Sequence, residues 1–166
     1  FNLQHPQEII LDFRESADNI KEVSVNGKTS TYIFRNEHLI LPEASSMQGE
    51  NDVYIRFTAG NQSLNRNDEY LYTLLVPDRA RTVFPCFEQP NLKAKFTLQL
   101  EVPDSWEAVS NTSVQTETTE NGRKNLTFYP TEPLSTYLFS FVAGKLKKVE
   151  YADGERILTA YHRETD

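Results

Sequence analysis

EYLYTLLVPDRARTVFPCFEQPNLKAKF, from Glu69 to Phe96, strings together a strand, a proline-punctuated turn, a dense aromatic knot and a second strand. Proline rings fix the backbone direction at Pro85 and Pro90. The aromatics on either side of Phe84-Pro85-Cys86-Phe87 read as space-filling core residues. Truncation of a fully buried Phe84 would cost about 3–5 kcal/mol. Arg79 and Arg81 stand between the carboxylates Asp78 and Glu88, so an Arg81 pairing with Glu88 or Asp78 is expected to pin the turn. Such a pair is worth about 0–1 kcal/mol when exposed, whereas breaking it when buried costs about 3–5 kcal/mol. Cys86, between a proline and a phenylalanine, reads as a small buried hydrophobe rather than a reactive thiolate.

Outward from this stretch the dominant hydrophobic period is two, the mark of half-buried strands. Towards the N-terminus Ile9, Leu11 and Phe13 alternate with their neighbours, as do Val23 and Val25, before Asn26-Gly27 signals a hairpin. Tyr32-Ile33-Phe34 is expected as the returning strand, followed by Leu39 to Leu41 up to Pro42 and by Val53, Ile55 and Phe57. Towards the C-terminus Phe96, Leu98, Leu100 and Val102 share a face, with a turn at Pro103-Asp104. Trp106 to Val109, Val114 to Thr118 and Leu126 to Phe128 read as short strands, the last entered through Asn121-Gly122. The run Tyr137 to Val142 is apolar on both faces and is expected in the middle of a sheet. Asp153-Gly154 marks a third hairpin, ahead of Ile157 to Tyr161.

Roughly ten to twelve short strands at spacings of about 8–12 residues predict an all-β fold, a sandwich-type double sheet that is mostly antiparallel. Only Pro90 to Lys95 offers room for a single helical turn. No repeat or linker divides residues 1–166, which are read as a single domain. A chain of 166 residues buries roughly 70% of its unfolded surface and holds a core without staples. The charge of −7 and pI near 5.0 argue against a phosphate-binding surface. The one tight basic cluster, Lys145, Lys147 and Lys148, reads as a guard on a strand. A single cysteine rules out an intrachain disulfide. No stretch reaches the roughly 20 apolar residues of a membrane-spanning helix. The chain begins at Phe1 with no signal peptide, which reads as a trimmed chain, and its end at Asp166 directly after a strand reads as a cut from a longer polypeptide. The compartment stays open between the cytoplasm and a periplasmic or secreted location. Sequons at Asn61, Asn111 and Asn125 are close to the number that the Asn, Ser and Thr content predicts by chance and are no evidence for glycosylation.

Zinc peptidase chemistry needs two histidines four apart on one helix face, with a glutamate beside the first to activate the metal-bound water. His5, His38 and His162 are isolated from one another in strand or coil context. There is no Gly-x-Ser-x-Gly, phosphate-cradling loop or calcium-loop pattern. No residue is assigned a catalytic or metal-ligating role, and no cofactor is expected in this chain.

The segment resembles the signature of the aminopeptidase N family of zinc metallopeptidases (gluzincin aminopeptidases), specifically its N-terminal domain. The family pattern is roughly T-Q-x-E-P-x-x-A-R-R-x-F-P-C-F-D-E-P followed by K-A-x-F. Thr73, Pro77, Ala80, Arg81, Phe84, Pro85, Cys86, Phe87, Pro90, Lys93, Ala94 and Phe96 match it in order and spacing. Val25-Asn26-Gly27, the run Trp106 to Asn111 and the strand Tyr137 to Gly144 are similar to the family as well. The resemblance implies a saddle-like, mostly antiparallel β domain packed on its own C-terminal catalytic domain. That domain, absent from these residues, would carry the zinc and hydrolyse N-terminal residues from peptides. The resemblance also implies that the Gln and Glu of T-Q-x-E line the wall of the S1 pocket. Their places are held here by Leu74 and Val76, both apolar, giving either a more hydrophobic wall or a loop that packs as core. Glu88-Gln89 replaces Asp-Glu, keeping one acid for Arg81, and Thr82 replaces the second arginine. The leading expectation is therefore a non-catalytic domain of a zinc metalloaminopeptidase. The alternatives are a non-catalytic scaffold or interaction module that kept the fold, and a carbohydrate-binding sandwich with Trp106 or Tyr129 as a platform.

Overall fold

A computed structural model describes residues 1–163; the expectation attached to the chain end at Asp166 lies outside them. The described residues are nearly all strand and turn, with antiparallel strand pairs in both halves of the chain. Two compact units emerge. The first comprises Phe1–Leu64, Leu74–Lys93 and Ser135–Leu138; the second comprises Asn65–Thr73, Ala94–Leu134 and the chain from Phe139.

In the first unit Ile9–Asp12, His38–Leu41 and Ile33–Arg35 form one three-stranded sheet in that order. Lys28–Thr29, Ile20–Val25 and Val53–Phe57 form another. The core follows the alternation seen in the sequence: Ile9, Leu11, Phe13, Ile20, Val23, Val25, Leu39 and Leu41 are all buried. Phe13 is fully enclosed and meets Phe34 and Phe57 edge-on, at centroid distances of 6.4 and 5.7 Å, a favoured aromatic geometry. Asn26 and Gly27 take φ of 52° and 75°, so they form the two-residue turn that joins Val25 to Lys28.

The returning strand of that hairpin is Lys28–Thr29 and not Tyr32–Phe34. Ile33–Arg35 turns back instead on His38–Leu41, through Asn36 and Glu37 at φ of 51° and 65°. Asn tolerates the left-handed region, but Asn-Glu carries no glycine to announce the turn.

Glu107–Ser110, Phe141–Gly144, Tyr70–Thr73 and Leu64–Arg66 make, in that order, a four-stranded sheet, all of it but Leu64 in the second unit. Gln99–Pro103, Arg123–Phe128 and Val114–Glu120 make a three-stranded sheet. Leu146–Asp153 and Arg156–Arg163 pair only with each other. Val102, Trp106, Ala108, Leu126, Phe128 and Ala143 form the core of this unit, so Trp106 is a packing residue and no exposed platform, while Tyr129 is exposed. Asn121-Gly122, at φ of 53° and 74°, closes the expected hairpin.

Phe141–Gly144 is the inner strand that the doubly apolar run predicts, but the run does not begin it. Thr136–Leu138 forms a 3-10 turn, and Phe139 stacks on Phe96 with ring centroids 4.6 Å apart. Phe96 lies outside its expected strand, which starts only at Gln99, because the Phe96 amide donates to Thr131 Oγ1 at 3.0 Å. The remaining helical turns, Ala17–Asn19, Glu43–Ser45 and Ala80–Thr82, are single 3-10 turns with no sequence period to reveal them. Near Pro90 the Leu92 amide donates to the Gln89 carbonyl in a hydrogen-bonded turn, and the helical turn for which Pro90 to Lys95 offers room does not form.

Candidate functional site

The segment after Thr73 leaves regular structure and stays held. The Leu74 amide donates to the Ser63 carbonyl at 2.8 Å. Leu75 is 2% exposed, while Leu74 and Val76 on either side are 55% and 54% exposed. The segment thus keeps strand-like alternation: one leucine anchors it and two apolar side chains face solvent. The reading in which Leu74 and Val76 pack as core is corrected, because Leu75 takes that place. The Val76-Pro77 peptide is cis. Beyond it the Arg79 amide donates to the Leu75 carbonyl at 2.8 Å, and the chain enters the 3-10 turn Ala80–Thr82, whose Ala80 and Thr82 are buried.

Glu88 is the fixing point of this turn. Its Oε2 accepts the backbone amide of Arg81, and its Oε1 accepts the Thr136 hydroxyl at 2.9 Å. The Glu88 amide in turn donates to Asp12 Oδ2 at 3.0 Å. Cys86 and Asp12 exchange backbone hydrogen bonds of 2.8 and 3.1 Å, and the Arg14 amide donates to the Arg81 carbonyl at 2.8 Å. The expected Arg81–Glu88 pairing therefore exists through the main chain. The Arg81 guanidinium reaches Asp78 instead, at 3.5 Å and with Asp78 well exposed, so that ion pair contributes about 0–1 kcal/mol.

Phe87 packs half-buried on the core of the first unit and meets the Phe1 ring edge-on at 5.5 Å. Phe84 and Pro85 are half-buried rather than fully enclosed, which lowers the cost expected for truncating Phe84. Pro90 is exposed, and its carbonyl accepts from Ser135 Oγ at 2.6 Å. Cys86 is buried. Burial pushes its thiol far above the ordinary range, the charges of Glu88 and Asp12 push it further, and Arg81 opposes them weakly. The thiol stays protonated and inert at neutral pH.

The three histidines do not converge. His5 is exposed, His38 Nδ1 lies 3.0 Å from Asp12 Oδ1 without hydrogen-bond geometry, and His162 meets the Arg163 carbonyl. Among the described residues no group of three His, Cys, Asp or Glu side chains is placed to hold a metal ion. The described residues do not fit a zinc site. Also among the described residues, no helix is long and apolar enough to cross a membrane.

The peptidase M1 N-terminal domain model matches residues 7–138, and the chain belongs to that family. Aminopeptidase N of Streptomyces lividans is 31% identical over 147 residues, covering 80% of this chain and 16% of that protein. The mitochondrial aminopeptidase 2 of Saccharomyces cerevisiae is 42% identical over 78 residues, covering 47% of this chain and 8% of that protein. In fold the chain is similar to the M1 zinc metallopeptidase of Deinococcus radiodurans, with a TM-score of 0.72 at 21% identity over 96% of this chain and 40% of that one. The chain therefore spans only a small part of the curated relatives it matches.

Proposed function

We propose that this chain is the non-catalytic N-terminal domain of a zinc metalloaminopeptidase. It packs on a C-terminal catalytic domain, which holds the zinc, and lends Leu74 and Val76 to the S1 wall that receives the first residue of a peptide. The observation that carries the reading is the pair of exposed apolar side chains at these positions, flanking a buried Leu75 and backed by a hydrogen-bonded turn. An apolar wall rewards an apolar first residue by burial, at about 25 cal/mol per Å² removed from water.

The test is made in the parent polypeptide. Leu74→Gln with Val76→Glu is expected to raise KM for leucyl relative to alanyl substrates several-fold with kcat little changed. An unaltered ratio would remove Leu74 and Val76 from the wall. The 166-residue chain alone is expected to bind no stoichiometric zinc and to cleave no aminoacyl chromogenic substrate. Chelator-sensitive turnover by it would overturn the non-catalytic reading.

One observation favours a second reading, a scaffold that kept the fold. The family pattern has Gln and Glu where this chain has Leu74 and Val76, and neither can hydrogen-bond a substrate amine. A parent without zinc-dependent turnover would select it.

A further inference from the structure

We infer that Glu88 is the positioning residue for the Leu74–Val76 edge, and through it helps set which first residue the parent enzyme accepts. The inference rests on the reading of Leu74 and Val76 as pocket wall. A continuous set of hydrogen bonds links the carboxylate to that edge. Glu88 Oε2 takes the amide of Arg81 inside the Ala80–Thr82 turn. The Thr82 amide and hydroxyl both return to the Arg79 carbonyl, at 3.0 and 2.7 Å, and the Arg79 amide closes on the Leu75 carbonyl at 2.8 Å. Leu75 is the residue between the two exposed side chains.

Glu88 is itself held from two further sides. Thr136 donates to Oε1, and Glu88 is tethered by its own amide to Asp12, on a strand of the first unit's core sheet. Cys86 Sγ lies 3.9 Å from Oε2, a weak third donor. Glu88 thus ties the turn to Thr136 through its carboxylate and to the core strand Ile9–Asp12 through its amide, with every linked residue inside the first unit. A loop that must present two side chains to a ligand within a fraction of an ångström needs such backing.

What Glu88 supplies is hydrogen-bond acceptance, and charge is secondary. A glutamine can take the Arg81 amide on its carbonyl and give its NH₂ to the Thr136 oxygen, since a hydroxyl both donates and accepts. An alanine leaves the Arg81 amide and Thr136 unserved.

The experiment measures kcat and KM of the parent polypeptide on alanyl and leucyl substrates for Glu88→Gln, Glu88→Ala and Thr136→Val, with Leu74→Gln/Val76→Glu alongside. Glu88→Ala is expected to shift the leucyl-to-alanyl KM ratio by about tenfold, since small misplacements near a substrate have large kinetic effects. Its kcat on the alanyl substrate should stay within about twofold, and Glu88→Gln should stay close to wild type. Thr136→Val, a smaller lesion, should move the ratio in the same direction and carries the test where Glu88→Ala fails to fold. Overturning results are a fall in kcat on both substrates with no KM split, or failure of Glu88→Gln to restore the ratio. An unmoved ratio in the Glu88 and Thr136 variants, with a shift in Leu74→Gln/Val76→Glu, refutes the positioning role and leaves the wall standing. No shift in any variant refutes both.

Discussion

The segment Leu74–Pro90 and the hairpin Leu146–Arg163 are opposites. The hairpin is regular: eight residues face eight in continuous antiparallel register from Leu146↔Arg163 to Asp153↔Arg156. Yet Val149, Tyr151, Ile157 and Leu158 are all exposed, and among the described residues its two strands pair with no third. Leu74–Pro90 has almost no regular pairing, and still Leu75, Ala80, Thr82, Val83 and Cys86 are buried and the main chain is held by Glu88 and Asp12. Regularity of backbone and depth of anchoring are separate properties. A two-stranded ribbon with both faces in water is marginal by itself, whereas an irregular loop is rigid when its amides find fixed acceptors.

The largest test of this contrast is Leu75→Ala, which should destabilise the chain by about 2–5 kcal/mol because the cavity opens under the anchored segment. Chemical denaturation reads it, and a loss under about 1 kcal/mol would break the contrast. Glu88→Ala comes next: loss of the acceptor shared by the Arg81 amide and Thr136 is expected to cost about 1–3 kcal/mol. Cys86 gives a pH-dependent effect. Its native thiol holds its proton above the ordinary value of 9.0, at which the unfolded chain begins to lose it. The contribution is complete below that pH and declines above it. The stability difference between wild type and Cys86→Ala should therefore narrow from pH 8 to about 10, and native Cys86 should resist alkylation until the chain unfolds. The smallest effect belongs to the hairpin: Leu158→Ala should stay within about 0.5 kcal/mol of wild type. A larger loss would mean that its exposed face is an anchor after all.

Much of the fold was legible because alternation and left-handed turn residues are local signals. Ile9, Leu11 and Phe13 announced a core strand, and Asn26-Gly27 and Asn121-Gly122 announced their turns. Alternation says which residues share a face and is silent on what covers it, so Ile157 to Tyr161 read like any other strand, and all but the half-buried Tyr161 proved exposed. The Asn36-Glu37 turn lacked a glycine. The break before Phe141 came from long-range partners, Phe96 on Phe139, that no window of sequence contains. At the candidate site the sequence offered Glu88 or Asp78 as the partner of Arg81; the guanidinium meets Asp78 and the main-chain amide meets Glu88, since charge is visible in a sequence and a backbone amide is not. Thr136 as the second donor to Glu88 lies 48 positions away and carried no signal.

The alternation at Leu74, Leu75 and Val76 has a consequence for heredity. Because only the middle residue is buried, selection for folding presses on one codon of the three. The outer two are free to drift among apolar, polar or charged residues; under the pocket-wall role proposed above, a lineage carrying this domain could exchange one diet of peptides for another without first passing through an unstable ancestor.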